Sequence, residues 1–245
     1  TPFPTRRSSD LKKGSIKFKH DLQVGAAATT APTARKLFLA CGSLETVGGS
    51  SVGYTPDPTK DSLDSYCLTM KVTLIPTTGN ALLVTIKGAM GNCVIKMENS
   101  ILVCEFDFLG CFTSIADGAA NVLTSPNTTV PPVAVAGATI TVASTVIKIA
   151  KCELDFGNTV ELEYAPADTT GYLAAYISKR APKLRMDPQA LLVADDAQYT
   201  RWAAGTQSAF SLATAALVPP GLYRRACEES EIGRASCRER VSSPV

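Results

Sequence analysis

From Ser65 to Ile75 apolar and polar positions alternate without a break. Tyr66, Leu68, Met70, Val72 and Leu74 fall on one side, with Ser65, Cys67, Thr69, Lys71 and Thr73 on the other. A period of two over this length predicts a half-buried strand. "PTTGN" (76–80) predicts a turn into "ALLVTIKGAM", and Gly91-Asn92 a second turn into "CVIKM". "ENS" (98–100) then leads into "ILVCEFDFLGCF", where Leu102, Cys104, Phe106 and Phe108 oppose Val103, Glu105 and Asp107. Four strands joined by short turns make an antiparallel meander, with the strands at 66–74 and 102–108 forming its core.

Residues 116–132 change to Ala, Asn, Thr, Ser and Pro and read as a loop; Asn127-Thr-Thr inside it matches a glycosylation sequon. Strands resume with "ATITV" and "VIKIAKCELDF", and Gly157-Asn158 turns the chain into "TVELEY". "APADTT" is a second loop before "GYLAAYISKRAPKLRMDPQA". The Asp195-Asp196 signal and the spacing of Tyr199, Trp202 and Ala203, stopped by Gly205, predict one helix, and "SAFSLATAAL" a last strand. Residues 12–36 and 218–230 stay unassigned, which leaves 37–217 as a mainly β domain: an antiparallel β-sandwich or half-barrel with one flanking helix.

Chemistry adds little to this frame. The chain has one His, His20, in the basic stretch "KFKHDL" with no apolar element read near it, so a catalytic triad would have to be built on that residue. "VGGSSVGY" (47–54) lacks the Lys-Ser/Thr of a phosphate-binding loop, and no dinucleotide fingerprint is present. These features argue against an enzyme, and no cofactor or metal is expected. Setting aside Cys237, seven cysteines remain (Cys41, Cys67, Cys93, Cys104, Cys111, Cys152 and Cys227). An odd count without a C-x-x-C pair favours reduced core thiols over zinc or a disulfide framework. The most apolar run, 133–150, is broken by Thr, Ser, Gly and Lys, so no membrane helix is expected.

Carboxylates recur at i, i+2 on three predicted strands: Glu105/Asp107, Glu153/Asp155 and Glu161/Glu163. They line one face instead of converging on a cleft, which disfavours glycosidase chemistry. If the strands are neighbours, one sheet face becomes acidic. Two readings of that face stand side by side, a surface that repels nucleic acid and an ordinary solvated sheet face.

The two ends differ from everything between them. Codons exist for which Pro2–Leu11, read on the opposite strand, encodes Glu231–Arg240; Leu11 (CTC) answers Glu231 (GAG), Asp10 (GAT) answers Ile232 (ATC), and the match runs on to Pro2/Arg240. This inverted repeat resembles translated sequencing-adapter DNA, so residues 1–11 and 231–245 are expected to lie outside the fold, with the native termini elsewhere. Those two ends also carry the whole formal charge of +2, which makes the remainder neutral and removes a basic hint of nucleic-acid binding.

Taken together, "LFLACG" (37–42), "VGYTPDP" (52–58), "KGAMGNCVIKMENSILVCEFDFLGCF" (87–112), "ELDFGNTVELE" (153–163) and "TGYLAAYISKRAPKLRMDPQA" (170–190) resemble the bacteriophage tail tube protein family. The chain departs from the usual pattern at Met90, where a basic residue is typical, and at 183–186, where a Gly-containing turn is typical. The resemblance implies a protomer that forms hexameric rings with copies of itself. Such rings stack into a virion tail conduit, meet tape-measure and terminator or sheath proteins, and pass DNA without specific binding. No membrane is involved, and synthesis takes place in the bacterial cytoplasm. It also implies that Glu105, Asp107, Glu153, Asp155, Glu161 and Glu163 are candidates for a lumen face. Loop 43–65 is a candidate for ordering against the next ring, or else is disordered in isolation. The competing reading is a β-sandwich module that binds receptor or carbohydrate on a virion or cell surface.

Overall fold

The computed structural model describes residues 12–23, 25, 30–49, 52–57, 66–74, 80–118, 132–135, 138–143, 145–188, 198–205, 207 and 209–213. In chain order these form β1 (Lys13–Asp21), α1 (Arg35–Ala40), β2 (Ser43–Val47), β3 (Val52–Pro56), β4 (Leu68–Leu74), β5 (Ala81–Glu98) and β6 (Ile101–Gly118). There follow β7 (Thr139–Val142), β8 (Thr145–Val146), β9 (Ile149–Asp155), β10 (Asn158–Tyr164), β11 (Tyr172–Arg180), β12 (Lys183–Pro188), α2 (Gln198–Ala203) and β13 (Phe210–Ala213). The architecture is mainly β and antiparallel, a sandwich built on a curled half-barrel sheet.

That sheet runs β1-β6-β5-β9-β12, with β4 also paired to β5. Its spine is the hairpin of two 18-residue strands, β5 and β6. The hairpin closes at Asn99 and Ser100, whose φ values of 48° and 66° are the left-handed pair that a tight two-residue turn needs. Register shifts at Thr85/Ile86 and Lys87/Met90 insert extra residues, and such bulges bend and twist a ribbon. Since β5 is so long, two strands share one flank: β4 pairs along Leu82–Ala89 and β9 along Val94–Lys96. The sheet therefore has a turn half near Asn99, five strands wide, and an open half of β4, β5 and β6.

Both halves contribute to the main core on one face, and β10 and β11 cover part of the other. Ile86, Cys93, Cys104, Phe106 and Phe108 form the main core with Phe38 and Ala40 of α1 and Cys41 at its C-terminal cap, helped by Ile16, Phe18, Tyr54 and Phe156. Phe106 meets Phe38 edge-on at 5.7 Å and Phe108 in a stack at 5.8 Å. Burying each such ring contributes about 1.5–3 kcal/mol. On the opposite face Met90 packs with Ala175 and Ile177 of β11 and Val160 and Leu162 of β10. A third cluster joins Ile140, Val142 and Ile147 to Phe210 and Leu212 of β13, the predicted last strand.

Several expectations need correction. Gly91-Asn92 is not a turn but the middle of β5, so the predicted four-strand meander has three strands. Gly91 is required there because a Cβ would lie 2.6 Å from the Phe108 ring and 2.7 Å from the Asp107 carbonyl. Tyr66 and Leu74 are not core residues: they are 54% and 52% exposed, whereas Leu68, Met70 and Val72 are half-buried and Leu102, Phe106 and Phe108 buried. Within the predicted loop 43–65, Ser43–Val47 and Val52–Pro56 are the paired strands β2 and β3. Residues 116–118 complete β6, and the strand predicted at 146–156 divides into β8 and β9.

The unassigned segment 12–36 supplies β1, paired along its whole length to β6, and the first two residues of α1, a second helix beside the predicted one. His20 lies in β1, half-buried opposite Cys104, with Nδ1 donating to the Asp21 carbonyl at 2.6 Å. The sequon at Asn127, Cys227, residues 58–65 and 218–230 and both adapter-like ends lie outside the described residues.

Candidate functional site

The six predicted carboxylates do not form one acidic surface. Glu105, Asp107, Glu153 and Asp155 belong to the main sheet, but Glu161 and Glu163 are on β10, in a separate two-stranded sheet. Glu161 there accepts hydrogen bonds from the Tyr176 hydroxyl at 3.1 Å and from Ser178 Oγ at 3.0 Å. Within the main sheet β6 and β9 are separated by β5, and each acidic strand lies between two strands that carry cations on the same face.

The register produces a ladder. Lys19 stands opposite Glu105, Lys17 opposite Asp107, and Glu153 between Lys96 and Arg185. The ion pairs are Lys17–Asp107 at 2.6 Å, Lys19–Glu98 at 2.9 Å, Lys19–Glu105 at 3.0 Å, Lys96–Glu105 at 2.6 Å, Lys96–Glu153 at 3.9 Å and Arg185–Glu153 at 3.3 Å. Four cations meet four carboxylates on this face of the turn half. Hydrogen bonds from Lys96 and then Lys19 hold the Glu105 carboxyl below the usual carboxylate range, and the Lys96 ammonium is raised chiefly by Glu105. A negative field does not follow from the acid pairs, because β1, β5 and β12 interleave positive charge.

The two Gly-Asn pairs, read separately as turns, come together. Asn158 Nδ2 donates to the carbonyls of Cys41 at 2.8 Å and Gly91 at 3.1 Å, and its backbone N–H donates to Asn92 Oδ1 at 3.0 Å. Asn92 Nδ2 and the Gly157 N–H both donate to Asp155 Oδ1 at 2.8 Å. This clasp lies where one long ribbon changes sheets. Asp155 pairs with Lys183 and Asn158 with Arg180 in a single register, so β9–β10 and β11–β12 form one hairpin bent at 156–157 and 181–182. Gly157 has φ +63°, and a Cβ would lie 2.0 Å from the Ala181 carbonyl oxygen. Gly157-Asn158 therefore makes a corner that carries β10–β11 over the face holding Met90.

The open half is less protected. Val72, Val84 and Ile115 are directly opposed across β4, β5 and β6, and Leu74 is opposed to Leu82. This strip continues the core-facing side beyond Met70 and Ile86, and Leu74 and Ile115 are more than half exposed. Among the described residues no strand pairs with the outer edge of β4 or, beyond Phe112, with the edge of β6 that faces away from β5.

Around this frame other groups are structural. Glu45 binds Arg35 Nε at 2.9 Å and accepts from Tyr54 Oη at 2.7 Å, pinning the β2–β3 hairpin to α1. A cleft of about 220 Å³ lies beside it, lined by Tyr54, Leu154, Phe156 and Arg180 among others. Cys41, Cys93 and Cys104 are buried free thiols. Burial raises the Cys41 thiol, and hydrogen bonding with Cys104 followed by burial raises Cys93. Among the described residues no three His, Cys, Asp or Glu side chains converge on a metal-sized site, and no helix is long and apolar enough to cross a membrane. No protein family, curated protein or solved structure matches the chain.

Proposed function

We propose that the chain is a structural subunit that assembles with copies of itself, as the resemblance to phage tail tube proteins implies. Its rings would stack into the conduit of a virion tail and meet tape-measure and terminator or sheath proteins at the ends. The role is mechanical, without catalysis or cofactor. The observation that carries this reading is the contrast between the edges of the main sheet.

In the turn half both edges are basic: β1 presents Lys13, Lys17 and Lys19, and β12 presents Lys183 and Arg185. Lysine on an edge is a common way to prevent strand addition, and like charges repel across a would-be pair. In the open half β4 carries one Lys, Lys71, and residues 113–118 of β6 carry none. Between those edges runs the strip of Val72, Leu74, Leu82, Val84 and Ile115. An edge to which no described strand is added, beside an exposed apolar strip, favours addition of another strand. Two different edges on opposite sides of one sheet give a head-to-tail contact, the kind that closes into rings.

The test is light scattering and negative-stain imaging of the full chain beside Leu74→Lys and Ile115→Lys variants. The parent should form rings or larger assemblies with rising concentration, and both variants should stay single. A parent that remains monomeric at high concentration, or variants that assemble equally well, would defeat the reading.

A further inference from the structure

The charge ladder is a poor stabilising device. Lys17, Lys19 and Arg185 are more than half exposed, and ion pairs between exposed side chains contribute about 0–1 kcal/mol each. Threonine or serine would solvate a sheet face as well. What the ladder does achieve is electrostatic: a row of four cations, spread over five neighbouring strands, is cancelled locally by four carboxylates. From Lys19 on β1 to Arg185 on β12 there are four inter-strand steps, or about 19 Å of flat sheet. Cations at that density suit the phosphate backbone of duplex DNA, which is bound largely through such contacts.

We propose that this face is a masked DNA-binding surface, in which Glu98, Glu105, Asp107 and Glu153 occupy Lys17, Lys19, Lys96 and Arg185 so that phosphates cannot. A tethered carboxylate competes at an effective concentration that free phosphate does not reach. The carboxylates on β6 and β9, with Glu98 at the end of β5, are the mask, and the cations on β1, β5 and β12 are what they cover. The inference deepens the conduit reading, since a passage must not retain what passes through it. It is nevertheless a property of one face of one subunit.

The test uses the full chain and a short fluorescent DNA duplex, with polarisation read over a salt series. Glu105→Gln/Glu153→Gln uncovers Lys96, Arg185 and part of Lys19 with nearly isosteric side chains. The control, Glu161→Gln/Glu163→Gln, removes the same charge from β10, off the ladder. The ladder variant should bind about tenfold tighter or more than parent and control, with a salt slope steeper by about 2–3, as roughly three uncovered cations require. Adding Lys96→Met and Arg185→Met should return binding to the parent level. Equal binding by ladder and control variants, or parent binding as tight as the ladder variant, overturns the proposal. Circular dichroism checks folding, and the single Glu153→Gln change, which leaves the Lys96–Glu105 pair in place, should give a smaller shift in the same direction if the pair is too disruptive. Assembly is scored separately, so a failed mask leaves ring formation to stand or fall by itself.

Discussion

Asn158→Ala should be among the most damaging single changes outside the aromatic core. The side-chain amide satisfies two carbonyls at once, Cys41 at 2.8 Å and Gly91 at 3.1 Å, and both residues are buried. Removing it forfeits two hydrogen bonds, about 1 kcal/mol each, and leaves carbonyls that water reaches poorly, so the total is about 2–4 kcal/mol. It also frees the corner from α1 and β5, so the ribbon that covers Met90 loses its anchor. With a urea m-value of about 2 kcal/mol/M, the unfolding midpoint followed by circular dichroism should fall by about 1–2 M. Asn158→Asp should be worse than Ala, because a carboxylate would face two carbonyl oxygens where an amide donated. A midpoint unchanged within about 0.3 M for Ala, or an Asp variant as stable as the parent, would refute the clasp as the fastening of the corner.

Thiol labelling should separate surface from core: of the six cysteines in the described residues Cys67 is exposed and the other five buried, so in a Cys227→Ser/Cys237→Ser background one thiol should react rapidly in native buffer and the rest only on unfolding. Rapid reaction of Cys93 or Cys104 would contradict the packing of the main core. The Glu105 carboxyl is depressed by Lys96 and Lys19, so its contribution to stability is present above the ordinary carboxylate value of 4.5 and is lost as pH falls through the lower folded value. Urea midpoints of parent and Glu105→Gln should therefore converge as the solution is acidified; a gap that persists at the lowest pH would show that the carboxylate acts by packing.

Much of the fold was legible because strands with one buried face advertise their period. The stretch at 66–74 and the alternation of 102–108 mark β4 and β6, although Tyr66, just before β4, and Leu74, at its end, are more than half exposed. β1 carries the same signal in "KGSIKFKHD", with Gly14, Ile16, Phe18 and His20 inward, but its lysines disguise it as a polar tail. Gly91-Asn92 misleads because a Gly-Asn pair signals a turn by local propensity, whereas here close packing against Phe108 and hydrogen bonds to a distant corner demand the same two residues. The ladder was half visible: carboxylate spacing lies within single strands, but the cations that answer them come from as far as Lys17, 90 residues from Asp107, and only register brings them together. The bent ribbon was not visible at all, since its pairing skips from β9 to β12.

The uneven treatment of the sheet edges carries a further consequence. If lysine on β1 protects the turn half from strand addition, its removal should matter for association and hardly for stability. Lys17 and Lys19 are exposed, so Lys17→Thr/Lys19→Thr should cost about 0–2 kcal/mol in urea unfolding. Thr keeps strand propensity, and the nine-residue β1 would then offer unpaired backbone groups with little charge to deter a partner. Light scattering at low salt should reveal disordered aggregates, distinct from any ordered assembly through β4 and β6. The same substitutions placed in a Leu74→Lys/Ile115→Lys background should still aggregate, since the edge they expose is a different one. If that combined variant stays monodisperse, the lysines of β1 serve the ladder alone and the two halves of the sheet are not divided into a guarded and an open side.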